Sequence, residues 1–321
     1  MEFTVEQSRF SSLPTRITVA LVAIPIIVWA AMVGSYFFFS LVALLSAVSL
    51  HEFYVLAEKK GAFPLKSVGL VAGFVVNGAF IYERSQAVLF SYFVSHGTAL
   101  AMFSQLQFLL VTMLVFLLVV LLIELFRQQG SPMLNAATTV LGVMVISLCF
   151  GTLIEIRELF PYGFPVSKFF NVSIAGDTEL ATITRWGGFT IVSLLASIWV
   201  CDTAAYFGGL TFGRHRLFER VSPKKSWEGA VFGFFGALLT IVAARALVLD
   251  YLRLQDALVI GTVVGVFGQI GDLVESRFKR DAGVKDSSAM IPGHGGVYDR
   301  FDSLVFVAPI VYLYIDFVVL S

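Results

Sequence analysis

Residues 106–126 read LQFLLVTMLVFLLVVLLIELF. A single charged side chain, Glu124, interrupts a run that would measure about 32 Å as an α-helix. The hydrocarbon core of a bilayer is about 30 Å thick, so this run matches a transmembrane helix and is too long for an ordinary strand or buried core helix. The rest of the 321-residue chain is of the same kind. Hydrophobic residues make up 58% and charged residues 14%, against about 45–50% and about 25% in soluble domains. Mean hydropathy is +0.87.

Working outward from 106–126, apolar runs broken by glycine, proline and charge predict about nine spans: 17–34, 36–57, 67–82, 106–126, 135–154, 187–209, 228–249, 256–274 and 302–320. Residues 86–103 are predicted as an interfacial or re-entrant piece. The predicted fold class is therefore all-α and polytopic, with N-terminal transmembrane helices over 1–154, an outer loop over 155–186 and a C-terminal catalytic transmembrane region over 187–321. The first apolar run is too long for the core of a signal peptide, so no cleavage is expected. Cys149 and Cys201 both lie within spans and fit no disulfide or zinc pattern.

Charge sets the sides. With the N-terminus inside, the inner segments 1–16, 58–66, 127–134, 210–227 and 275–301 hold two, three, one, five and five basic residues, sixteen of the 22 Lys and Arg. An excess of Lys and Arg marks the cytoplasmic side. Two spans, an even number, separate 210–227 from 275–301, so these two polar segments share a side whatever the N-terminus does. The 22 basic and 22 acidic residues balance, and no basic footprint for nucleic acid is present. The spacings Gly229-x-x-x-Gly233 and Gly261-x-x-x-Gly265 predict close helix packing.

Three polar constellations fall on the shared side. At the end of the eighth span, Asp272, Glu275, Ser276 and Lys279 are spaced i, i+3, i+4, i+7 and share a helix face. An acid placed deeper than the bases is costly near hydrocarbon unless it is paired or metal-bound. Leading into the last span, Ile291-Pro-Gly-His294-Gly-Gly-Val-Tyr-Asp299-Arg300-Phe-Asp302 offers glycines for close backbone approach, a histidine, and two carboxylates at i, i+3. Glycines also make ordinary turns, and Asp-x-x-Asp also fits a helix cap. Third, Ser222-Pro-Lys224-Lys225-Ser226-Trp227-Glu228-Gly229 suits polyphosphate binding as well as positive-inside anchoring. Asp202 and Tyr206, one turn apart within the sixth span, are either functional or a buried hydrogen-bonded pair. Carboxylates for a hard cation, bases for phosphates and glycines for close approach fit phosphoryl or nucleotidyl transfer. No Ser-His-Asp logic supports a covalent hydrolase.

The run Ser276-Arg-Phe-Lys279-Arg280, then Lys285-Asp286-Ser-Ser288, then Ile291 to Asp302, resembles the signature of the phosphatidate cytidylyltransferase (CDP-diacylglycerol synthase) family without departure. Ser222–Gly229 and Asp202–Tyr206 resemble further segments of that family, and the likeness covers about 199–302. The resemblance implies condensation of CTP with phosphatidic acid into CDP-diacylglycerol and pyrophosphate, with Mg2+ required and a second cation left open. It also implies a multi-pass protein of the cell (inner) membrane, a homodimer, with its active site facing the cytoplasm. Carried over by position, Asp272 and Asp299 would hold the metal. Lys224, Lys225 and Ser226, with Lys279, Arg280, Lys285 and Arg300, would bind phosphates, and Asp202 joins this substrate-binding set. His294 and Asp302 are placed in support, beside Lys285, in catalysis. A CTP-dependent lipid kinase of the polyprenol or dolichol type would use similar groups. A transporter for an anionic solute would instead call for bases near the midplane and inverted repeats, and neither is seen.

Overall fold

The structure, a computed structural model, describes residues 3–96, 103–160 and 177–321. It is helical apart from one short hairpin. The helices are α1 (Phe3–Val33), α2 (Ser35–Glu58), α3 (Lys66–Ala79), α4 (Tyr82–Ser95), α5 (Gln105–Phe126), α6 (Pro132–Glu158), α7 (Asp177–Phe212), α8 (Trp227–Leu247), α9 (Leu254–Asp281) and α10 (Tyr298–Val319). The strands β1 (Arg216–Phe218) and β2 (Ser222–Ser226) pair antiparallel between α7 and α8.

Among the described residues, eight helices are long and apolar enough to cross a membrane, one fewer than the nine spans the sequence predicts. The difference is α3. Its 14 residues span about 21 Å, short of the hydrocarbon core. Glycine lets this short helix pack tightly among its neighbours: a Cβ at Gly69 would lie 2.1 Å from the Tyr54 hydroxyl. Segment 86–103 falls partly in α4, also 14 residues, and partly outside the described residues. Of the predicted outer loop 155–186, residues 161–176 lie outside the described residues, 155–158 end α6, and 177–186 are the first turns of α7.

The chain forms two compact units, Ser35–Glu155 and Met1–Gly34 with Ile156–Ser321. The first helix thus groups with the C-terminal helices, although the sequence places it with residues 1–154. The reason is local. The buried Arg157 guanidinium donates to the Ala31 carbonyl at 2.5 Å and the Met32 carbonyl at 3.0 Å, capping the free carbonyls that end α1. Within the other unit, Tyr54 Oη donates to the Thr139 carbonyl at 2.8 Å and Asn77 Nδ2 to the Ser147 carbonyl at 2.5 Å. Ser147 closes a wide π-type turn, Val143–Ser147, inside α6.

In the larger unit the glycine spacings act as the sequence predicts. A Cβ built at Gly229 would sit 2.6 Å from the Ala205 carbonyl of α7, and one at Gly233 3.0 Å from the Cys201 carbonyl. On the other side of α8, a Cβ at Gly261 would meet Leu238 Cα at 2.8 Å, and one at Gly265 would meet Phe234 Cα at 3.0 Å. Backbones this close leave no room for a methyl group, and α8 is held between α7 and α9 by that contact. Gly229→Ala is therefore expected to lower the thermal midpoint in detergent by the equivalent of about 1–3 kcal/mol, the usual cost of overpacking. An unchanged midpoint would show that the α7–α8 contact is looser than described.

Candidate active site at the ends of α8, α9 and α10

Helix α9 widens to a π-type turn over Val264–Gly268, directly before the turns that carry polar side chains. Turns of this kind recur at functional sites. Beyond it, Asp272 and Glu275 project from one face of α9 and meet Asp302 from the second turn of α10. One carboxylate oxygen of each lies within 4.8 Å of the others. Glu275 is only 1% exposed and lies within hydrogen-bond reach of the Asp299 carboxyl group. Its Oε2 meets Lys279 Nζ at 2.5 Å. Crowding acids together away from water is costly unless cations offset them, so three converging carboxyl groups form a natural cradle for a hard cation.

Two ammonium groups balance this cluster, and they differ. Lys279, itself buried, pairs with both Glu275 and Asp299 Oδ1, the latter at 2.8 Å. Lys225, from β2, pairs with Asp272 Oδ2, and both side chains remain 29% exposed. Asp272 Oδ1 accepts from Ser276 Oγ at 3.2 Å.

Asp299 borders the acid cluster through Glu275 and Lys279, and it also organises the loop. Besides Lys279, it accepts from the Gly296 amide at 2.8 Å and the Ser287 amide at 3.0 Å. It thereby draws the loop between α9 and α10 onto the start of α10. Gly295 sits at φ +81°, and a Cβ there would lie 2.6 Å from Asp299 Oδ2, so glycine is required on both counts. In the same loop the Ile291 amide donates to the Gly295 carbonyl at 2.8 Å and the His294 amide to the Ile291 carbonyl at 2.9 Å. His294 Nδ1 is buried without a hydrogen-bond partner among the described residues.

The remaining predicted residues sort by what they touch. Ser226 is buried and caps α8, its Oγ accepting from the Gly229 amide at 3.2 Å. Arg280 donates to the carbonyls of Val221 at 3.4 Å and Val284 at 3.1 Å, tying the end of α9 to the hairpin. Lys224, Lys285 and Arg300 are exposed and make no ion pair among the described residues. Asp202 is exposed on α7, within electrostatic reach of Asp272, Lys225 and Arg300.

Two contributors escape a reading of the sequence. Glu275 shares the helical face with Asp272, yet nothing in the spacing says that it is buried; its depth comes from packing against α10. The hairpin β1–β2 was not foreseen at all. Glu228 braces it, accepting from the Arg214 amide at 3.0 Å, the His215 amide at 3.2 Å and His215 Nδ1 at 2.6 Å. An acid in the first turn of a helix is the only signal the sequence offers for that brace.

Residues 14–318 match the model of the cytidylyltransferase family. The chain belongs to the cytidylyltransferase family. Its relatives within the family include a phosphatidate cytidylyltransferase of Synechocystis sp., 31% identical over 94% of this chain and 97% of that protein. Those of Thermotoga maritima and Staphylococcus saprophyticus are 42% and 45% identical over 40% and 35% of the chain, and 49% and 44% of their own lengths. Membership in the family, with the eight long apolar helices, makes the chain a multi-pass membrane enzyme, as the sequence predicts. In this cytidylyltransferase family member, Asp272 groups with Glu275 and Asp302, while Asp299 is taken up by Lys279 and two amides. The resemblance places the metal on Asp272 and Asp299; here Glu275 and Asp302 gather with Asp272, and Asp299 borders that group through Lys279. Asp299, in the first turn of α10, meets the loop amides and Lys279 of α9, and Asp302, one turn on, meets Asp272 and Glu275.

Proposed function

We propose that the chain joins CTP to phosphatidic acid, giving CDP-diacylglycerol and pyrophosphate. The observation that carries this reading is the carboxylate cradle of Asp272, Glu275 and Asp302, with exposed basic side chains, on the segments that join its elements, that make no ion pair among the described residues. Both reactants are anions, so a site for them must first overcome their repulsion.

The donor set fits Mg2+: three hard carboxyl groups, each offering an oxygen within 4.8 Å of the others. Asp272, Glu275 and Asp302 would hold the ion, and when bound it would supply charge neutralisation and orientation for phosphate oxygens. The chain's own residues account for the rest. Lys224, next to Lys225, and Lys285 and Arg300, on the loop and helix start that follow α9, are exposed and can bind the phosphates of the nucleotide and take up charge on the leaving pyrophosphate. His294, with Nδ1 free inside the glycine loop, can donate to a phosphate oxygen. Asp299 and Lys279 keep that loop closed. A phosphatidate oxygen forms the new bond to the α-phosphorus. The bond from the α-phosphorus to its bridging oxygen breaks, and the electron pair leaves with pyrophosphate. No protein nucleophile is needed.

The site also suits substrates of unlike solubility. Its acids lie at the ends of apolar helices, where a lipid phosphate resides, and its free bases face water, from which CTP arrives. The hairpin and the loop between α9 and α10 are separated by two spanning helices, α8 and α9, and so share a side. Their basic content supports the cytoplasmic face.

The test uses two labels. Purified protein with phosphatidic acid, Mg2+ and CTP labelled at the α-phosphate should yield labelled lipid. Label at the γ-phosphate should appear only in pyrophosphate. Lipid labelled from the γ position would assign the chain to lipid phosphorylation instead.

A further inference from the structure

The two ammonium groups at the acid cradle hold very different places. Lys279 is on α9, buried, and shared between Glu275 and Asp299. Breaking a buried pair of that kind leaves an uncompensated charge and is strongly unfavourable. Lys225 is on the hairpin, its pair with Asp272 partly open to water on both sides. An ion pair with that exposure contributes little and exchanges readily. The hairpin is fixed at its base, where the Trp227 amide donates to the His215 carbonyl at 2.9 Å and Glu228 grips His215. Lys225 stands two residues beyond that base with a long flexible stem. Its neighbour Lys224 is exposed and pairs with no described acid.

We propose that Lys225 is the resident counter-ion of the cradle, a placeholder that a divalent cation displaces from Asp272 and that then becomes a phosphate ligand. This rests on the reading of Asp272, Glu275 and Asp302 as the cation site. While the site is empty of cation, Lys225 neutralises Asp272. A divalent ion at the cradle competes for the same carboxylate and repels the ammonium group. The freed side chain remains tethered within reach of the site, where a nucleotide's phosphates are the nearest anions. Cation and polyphosphate then bind with positive coupling through one lysine, without any movement of the helices. Lys279 cannot act this way, because its second partner, Asp299, keeps it in place.

Coupling between two ligands is reciprocal, which gives the test two arms that do not read turnover. Mn2+ binding to the full chain in detergent, without nucleotide, is followed by electron paramagnetic resonance. Lys225→Gln should tighten Mn2+ binding about tenfold, within the usual range of such couplings. Lys225→Arg and Lys224→Gln should bind Mn2+ as the wild type does. Pyrophosphate should strengthen Mn2+ binding to the wild type more than it does to Lys225→Gln. Unfolding midpoints of the three variants certify that each is folded. Unchanged or weaker Mn2+ binding by Lys225→Gln would overturn the proposal, as would an equal gain in Lys224→Gln, which would reduce the effect to net charge. Asp272→Asn separates the two levels: it should lose Mn2+ binding, and retention there would overturn the cation site itself.

Discussion

Asp272→Asn should lower CDP-diacylglycerol formation about a thousandfold, a loss typical of removing one charge-stabilising group from an active centre, while leaving the fold intact. Asn keeps the shape and one acceptor oxygen, so Ser276 can still donate to it. What disappears is the negative charge at the centre of the Asp272, Glu275 and Asp302 cluster. Stability should survive because the one ion pair lost, to Lys225, is 29% exposed on both sides and such pairs contribute about 0–1 kcal/mol. Liponucleotide formed in mixed micelles and a thermal unfolding curve are the two measurements. Retention of more than about a tenth of wild-type turnover would exclude Asp272 from the centre, since an effect that small is less than even a single oriented hydrogen-bond donor contributes.

Asp299→Ala should fail in a different way, losing both activity and structure. The carboxylate is buried, pairs with buried Lys279, and accepts from two loop amides. Its removal leaves Lys279 with Glu275 alone and strands the amides of Ser287 and Gly296. Breaking a buried pair costs about 3–5 kcal/mol, and each stranded buried donor adds about 1–3 kcal/mol. The thermal midpoint should fall steeply, and limited proteolysis should cut first between α9 and α10. Asp299→Asn is only partly protective, since its amide group would face the Lys279 ammonium. A midpoint equal to the wild type in Asp299→Ala would contradict the hub role and restore Asp299 to a purely chemical one.

The contrast between these two aspartates marks where the sequence stops being informative. Run 106–126 and its counterparts announce a polytopic helical protein, because length and apolarity are sufficient signals of a span. The glycines at 229, 233, 261 and 265 announce close helix contacts, and the built Cβ distances agree. The chemistry of the site is legible too: acids, bases and glycines on one side of the membrane. What a linear string does not carry is which acid faces which neighbour. Asp299 and Asp302 are equivalent by composition, and one turn of helix separates a loop-organising carboxylate from one in the cradle. Glu275 is recognisable as a neighbour of Asp272 on the same face, but its burial depends on α10, far along the chain. The hairpin is hidden because Pro223 and two lysines have poor strand character. Its existence depends on Glu228 gathering the amides of Arg214 and His215. The count of spans erred at 67–82 because an apolar stretch closed by glycine and polar residues gives no sharp length, and the helix stops at 14 residues.

Exchange of ligand type at single positions tests the cation cradle most directly. Asp272→Cys replaces a hard oxygen with a soft thiolate, which favours Cd2+ over Mg2+. The cradle of Asp272, Glu275 and Asp302 requires that Asp272→Cys be inactive with Mg2+ and regain turnover when Cd2+ is added, and that Asp299→Cys show no such rescue. Rescue at position 299 without rescue at 272 would contradict the account, because it would put the cation on the loop side of Lys279.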